Sequence, residues 1–175
     1  MRKDLLERMR RLKLMVFDVD GVLTDGTLYY GEAGAELKAF NVRDGHGIKM
    51  LKESGVEVAI LSARRSRAVD ARAAELGLTL VEQGAGDKGH VFDDLIARAR
   101  ISADASGYMG DDLIDLPVLS RCGFAASVPD APAVVRKRVH LVTRAPGGRG
   151  AVREVCELIM RAQKTLDRAV ARQLA

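Results

Sequence analysis

The sequence predicts a doubly wound α/β fold, a parallel sheet with helices on both faces. Three observations carry this. From residue 13 onward, short apolar, β-branched runs alternate with helix-period segments, the rhythm of repeated strand–helix units. Runs such as VFDVD and VAIL are apolar at consecutive positions, as in strands covered on both faces. A composition that is 47% hydrophobic and 30% charged over 175 residues suits one domain whose core needs no disulfide or structural metal.

The basic segment 1–13 comes first. Arg2, Lys3, Arg8, Arg10, Arg11 and Lys13 outweigh Asp4 and Glu7 by +4, which is the formal charge of the whole chain, so the remainder is neutral. Leu5, Met9 and Leu12 recur at i, i+4 and i+7, predicting an amphipathic helix with a solvated basic face. Aromatic residues make up only 4% of the chain, leaving little to stack on bases, and nucleic acid is not an expected partner. No apolar run approaches the roughly 20 residues of a membrane span. Neither an apolar core nor a cleavage site of a secretory signal follows the charged start, so a cytoplasmic location is expected. Cys122 and Cys156 lie far apart in apolar stretches and are expected to be free, buried thiols.

Strand-like runs follow at LKLMVFD, VEVAIL, LTLVEQ, ASGYMGDD, FAASV and HLVT, with helices expected near 45–54, 65–77, 87–100, 112–121 and 131–137. Two places break the rhythm. Residues 27–41 set a Gly-Glu-Ala-Gly turn between two strand-like runs, predicting a projecting β-hairpin. Its Leu28, Tyr29, Leu37 and Phe40 are apolar residues that a lone ribbon cannot bury. Residues 145–175 form a glycine-rich tail, Ala145 to Gly150, and a helix with Val152, Val155, Ile159 and Ala162 on one face. The glycines would let this tail reach over a neighbouring subunit. With no internal repeat and no long linker, residues 1–175 read as one domain.

The densest chemical signal is Asp18-Val19-Asp20-Gly21-Val22-Leu23-Thr24-Asp25-Gly26, directly after LKLMVF. Open α/β sheets bind ligands at the carboxyl ends of their strands. Two acids there need a cation, and both reach one substrate only if the chain turns at Asp20, which Gly21 permits. A second cluster, Asp111, Asp112 and Asp115, follows the strand-like ASGYM. Carboxylates at such a density suit a hard cation, and Mg²⁺ takes one or two of them plus waters and a phosphate. His46, His90 and His140 lack the spacing of zinc ligands. Ser62 ends the strand VAIL and can donate to phosphate, while Lys88 opens a helix and can supply positive charge. An isolated acid cluster is commonly a helix cap; the order acid pair, hydroxyl, lysine, acid cluster carries the specificity.

DVDGVLTDG, LSAR, DK before a helix and GDDLIDLP resemble, in order, the four motifs of the haloacid dehalogenase superfamily of phosphatases. FNVRDGHGIKML, SARRS, QGAGDK and PGGRGAVREV are similar to stretches of the 3-deoxy-D-manno-octulosonate 8-phosphate (KDO 8-phosphate) phosphatases. The resemblance implies an aspartyl-phosphate mechanism in lipopolysaccharide precursor synthesis. Asp18 is then the nucleophile and Asp20 the general acid and base, with Mg²⁺ on Asp18, Asp111 and the backbone carbonyl of Asp20. Ser62, Lys88 and backbone amides beside Val19 would spread the phosphoryl charge, and Asp112 and Asp115 would serve the outer shell of the metal and orient Lys88. Arg64, one turn from Ser62, can pair with the carboxylate of a sugar acid. Arg43, Ala63 and Gly148, within the matching stretches, are further candidate substrate contacts. Where the family commonly has Thr-Gly this chain has Ser62-Ala63, which keeps the hydroxyl and adds a Cβ beside the phosphate loop.

The short intervals between motifs leave no room for a cap domain. Such an open site serves either a macromolecular phosphoester or a small substrate enclosed by another subunit, and the resemblance implies a homo-oligomer, a tetramer, joined through the hairpins. Three alternatives stand beside this reading: a phosphatase of a nine-carbon ulosonate 9-phosphate, a phospho-acceptor signalling domain, and a domain whose main role is to bind a partner enzyme.

Overall fold

The computed structural model describes residues 3–32, 35–172 and 174. Its strands are β1 (Leu14–Phe17), β2 (Tyr29–Tyr30), β3 (Glu36–Leu37), β4 (Glu57–Ser62), β5 (Leu80–Gln83), β6 (Ser106–Met109), β7 (Phe124–Ser127) and β8 (Leu141–Val142). Its helices are α1 (Lys3–Arg11), α2 (Val42–Glu53), α3 (Arg67–Glu75), α4 (Lys88–Ala99), α5 (Leu116–Leu119), α6 (Ala133–Arg136), α7 (Ala151–Ala162) and α8 (Leu166–Ala171).

Six strands form one sheet in the order β5-β4-β1-β6-β7-β8, and every neighbouring pair is parallel. They are the six runs read from the sequence. Every residue of β1, β6 and β7 is buried, because helices cover the sheet on both sides and leave no polar face. The order grows outward from β1 in both directions. Right-handed crossovers therefore put α2 and α3 on one face and α4 to α6 on the other, consistent with the packing of α2 on α7 and of α4 on α5. The reversal lies between β1 and β6, and a crevice opens there at the strands' carboxyl ends. Among the described residues no helix is long and apolar enough to cross a membrane.

Local chemistry moves several expected boundaries. Helix α2 starts at Val42 rather than near residue 45, because the Asn41 side chain caps it by accepting from the amides of Arg43 (2.8 Å) and Asp44 (3.4 Å). The segment expected as helix 112–121 is a 3₁₀ turn, Leu113–Asp115, running into the four residues of α5. Leu5 and Met9 of α1 and Leu12, just beyond its end, are buried as their spacing requires. Its basic face is not wholly solvated: Arg8 donates to the Gly123 carbonyl at 2.7 Å. Arg2 lies outside the described residues.

The hairpin is β2 paired antiparallel to β3, with Tyr29 opposite Leu37 and Tyr30 opposite Glu36. Its tip, Ala33 and Gly34, lies outside the described residues. Leu28, Tyr29, Tyr30 and Leu37 are exposed. Phe40 corrects the expectation for this ribbon, because it packs against the chain's own core with the Arg72 guanidinium 5.9 Å from its ring centre.

The glycine-rich stretch is seated within its own chain, on the loop that follows β1. The Gly148 amide donates to the Val22 carbonyl at 2.9 Å. A Cβ on Gly147 would lie 1.8 Å from the Gly21 carbonyl oxygen. Glycine serves close approach of two backbones here, not flexibility. Helix α7 then buries Val152, Val155, Ile159 and Ala162, together with Cys156 and Met160, so the stretch is anchored at both ends.

Candidate active site

Asp18 follows β1 directly and is buried, its amide bonded to the Met109 carbonyl at 2.9 Å, which ties the ends of β1 and β6 together. Beyond it the chain turns as the acid pair requires. Asp20 is extended (φ −75°, ψ 121°), Gly21 adopts φ +85°, and the Thr24 amide returns to the Val19 carbonyl at 3.0 Å. A side chain at Gly21 would be excluded twice over, by the positive φ and because its Cβ would fall 2.0 Å from Asp111 Oδ2. Glycine thus admits the second acid cluster to the first.

Lys88, the first residue of α4, is buried between two carboxylates, 2.8 Å from Asp18 Oδ2 and 2.6 Å from Asp115 Oδ1. Burial alone would lower its pKa, but those two anions outweigh burial and hold the ammonium above its ordinary value. Asp115 is fully committed. Its Oδ1 also accepts from Tyr108 Oη at 2.6 Å, and its Oδ2 accepts the amides of Asp111 and Asp112 at 3.0 Å each. Asp18 and Asp111 are each pushed up to about 7, by burial first and then by neighbouring carboxylates, with Lys88 only partly offsetting this.

Asp18, Asp20, Ser62, Ala63, Arg64, Lys88, Asp111 and Asp112 line one cavity of about 240 Å³. Asp112 is both an acid at the cavity and a cap, its Oδ1 accepting from the Leu113 amide at 2.7 Å. Ser62 ends β4 and is buried. Ala63 is absent from the described non-glycine residues of positive φ, so its methyl strains no backbone. Val19 is buried with its amide engaged by Asp18 Oδ1 at 2.7 Å. Arg43 and Gly148 are not brought to this cavity. Arg43 lines another one beside Arg144, Arg149 and Arg153, and Gly148 stands behind the loop after β1.

No family model matches the chain. The 3-deoxy-D-manno-octulosonate 8-phosphate phosphatase KdsC of Yersinia pestis is 46% identical over 166 residues, 95% of this chain and 89% of the relative. The chain belongs to the KdsC phosphatase family. A solved KDO 8-phosphate phosphatase from Moraxella catarrhalis, described in complex with magnesium, phosphate and KDO, superposes with a TM-score of 0.96 at 41% identity, over 98% of this chain and 99% of that one. A hydrolase of the HAD superfamily, subfamily III A, from Legionella pneumophila superposes with a TM-score of 0.94 at 39% identity, over 98% and 94%.

For a KdsC-family site the residues present fit a magnesium ion. Oxygen atoms of Asp18, Asp111 and Asp115 lie within 4.8 Å of one another. Asp115 accepts four hydrogen bonds, two on each oxygen, whereas each oxygen of Asp18 has one partner; Asp18 and Asp111 thus keep acceptor capacity for a cation, a donor set that suits Mg²⁺. Burial and neighbouring carboxylates raise both pKa values, and a bound cation would favour the ionised forms.

The sequence reading missed three side chains that complete the surroundings. Tyr108 sits in a strand buried at every position, where a phenol needs a partner; that strand context was the available signal. Lys38 and Glu36 come from the hairpin. Arg64 donates to Glu36 at 2.7 Å and to Tyr30 Oη at 3.3 Å, and this guanidinium holds the Glu36 carboxyl down to about 2. Nothing in the local sequence around residues 36–38 distinguishes them from an exposed ribbon edge.

Proposed function

We propose that this chain hydrolyses 3-deoxy-D-manno-octulosonate 8-phosphate to the free sugar acid and phosphate. The observation that carries the reading is the convergence of Asp18, Asp20, Ser62, Lys88 and Asp111 from four separate segments on one cavity at the sheet's reversal point. Relatives 46% identical over 95% of the chain are named for that substrate.

The carboxylate of Asp18 attacks phosphorus, and the bond from phosphorus to the sugar oxygen breaks. Asp20 delivers a proton to the departing oxygen. As a carboxylate it then takes a proton from the water that hydrolyses the aspartyl phosphate, which regenerates Asp18 and releases phosphate. Lys88, held in place by Asp115, and Ser62 face the phosphoryl oxygens and offset their charge. Mg²⁺ held by Asp18, Asp111 and the Asp20 carbonyl would keep both carboxylates ionised and offset their repulsion of the phosphate.

Arg64 stands at the cavity with its guanidinium half exposed, within reach of a substrate carboxylate. The exposed Leu28, Tyr29, Tyr30 and Leu37 favour a homo-oligomer, a tetramer, closed by the hairpins. In it Arg43 would act across a subunit boundary, while Gly148 acts by seating the catalytic loop. We place the enzyme in the cytoplasm, with residues 1–175 working as one phosphatase domain.

Phosphate release across a panel of phosphorylated sugars and sugar acids tests the reading. The eight-carbon sugar acid phosphate should be preferred over its nine-carbon analogue and over neutral sugar phosphates, and Asp18→Asn should abolish turnover. Preference for a neutral sugar phosphate would overturn the substrate assignment. Light scattering should give a mass well above that of one chain.

A further inference from the structure

Lys38 follows β3 in sequence and is one of the least exposed charged groups of the protein. Its side chain is 1% exposed, and its Nζ bonds to Asp20 Oδ1 and lies 3.2 Å from Glu36 Oε1. Removing an ammonium from water is costly unless anions surround it, and both of its anions are accounted for. Glu36 is shared with Arg64, whose Nε lies 3.9 Å from the other oxygen of Asp20, Oδ2. Two cations and two anions thus bind the hairpin to the catalytic loop and to the loop after β4.

Resting on the phosphatase reading above, we propose that Lys38 is a positioning residue for the acid–base step. Its ammonium fixes Asp20 Oδ1 and leaves Oδ2 as the oxygen that passes the proton to the sugar. The geometry requires such a device. Asp20 occupies an extended position in a turn, its side chain is 22% exposed, and its ion-pair partners among the described residues are Lys38 and Arg64. A short charge-assisted hydrogen bond from a buried ammonium that Glu36 also holds in place restrains the Asp20 carboxylate to one rotamer. Arg64, at 3.9 Å and 43% exposed, does not. The hairpin is thereby part of the machinery of its own subunit, independently of any contact with other subunits.

The test compares two leaving groups. Nitrophenolate departs without a proton, whereas a sugar alkoxide needs one, and kcat/KM covers only the steps through departure of the leaving group. In Lys38→Met, kcat/KM for the sugar acid phosphate should fall at least about 10-fold while that for p-nitrophenyl phosphate changes less than about 2-fold. Lys38→Gln should show the same ratio, so a folding failure in one variant leaves the other decisive, and Lys38→Arg should recover much of the loss. In an Asp20→Asn background, Lys38→Met should add no further loss on the sugar acid phosphate. Equal losses on both substrates, no loss on either, or additive losses with Asp20→Asn would overturn the proposal. A wild-type protein that releases phosphate from neither substrate would instead refute the phosphatase reading itself.

Discussion

Asparagine at position 115 keeps the shape of the side chain and removes its charge, and four donors make that change costly. Lys88 Nζ and Tyr108 Oη point at Oδ1, both at 2.6 Å, and the amides of Asp111 and Asp112 point at Oδ2, both at 3.0 Å. An amide has one acceptor atom, so in either orientation its NH₂ faces a pair of donors. Two hydrogen bonds to a charged acceptor are worth about 1.5–3 kcal/mol each. Part of this is returned, because Asp115 is one of the groups that raise Asp18 and Asp111. A net loss of about 3 kcal/mol should lower the unfolding midpoint of a 175-residue chain by about 6–12 °C. Thermal unfolding with saturating Mg²⁺ measures it, and turnover should fall in parallel as Lys88 loses its anchor. A midpoint within about 2 °C of wild type would refute the assignment of Asp115 as the acceptor that organises the site. An unchanged midpoint with weakened Mg²⁺ binding would make it a metal ligand instead.

Proton-linked metal binding follows from the two raised carboxylates. Asp18 and Asp111 titrate near 7 in the fold against 3.8 ordinarily. The metal-free protein therefore holds protons that the unfolded chain releases, and loses stability as pH rises from about 4 through 7. Mg²⁺ needs both groups ionised, so its apparent affinity should weaken below about pH 7, and its stabilisation should be larger at about pH 8 than at about pH 6. Calorimetric titration showing equal affinity at both values would contradict this. Gly147→Ala, whose Cβ would meet the Gly21 carbonyl, should cost about 2–3 kcal/mol and lower turnover by shifting the catalytic loop; an unchanged urea midpoint would remove that close approach. Truncation after Arg144 should unfold the protein rather than only silence it, since it deletes the buried face of α7; a native far-ultraviolet spectrum for the truncated chain would be evidence against this packing.

The sequence by itself determined the sheet and the chemical centre. A strand covered on both faces must be a largely apolar run, so β1 (LMVF) and β4 (with VAIL) stood out without their partners. Asp18, Asp20, Ser62, Lys88 and Asp111 were legible because each follows such a run or opens the next helix, where the carboxyl edge of the sheet must lie. Tertiary structure alone decided what surrounds them. Lys38 meets Asp20 across 18 positions and Arg64 meets Glu36 across 28, and a lysine buried between two anions has the same letter as one in water. The glycines of the stretch 145–150 read as a flexible strap; the Gly21 carbonyl beside Gly147 makes them a close contact of two backbones instead. Periodicity reports what one segment needs to bury, whereas the partner of a charge or of a missing side chain is set by whichever distant segment the fold brings within reach.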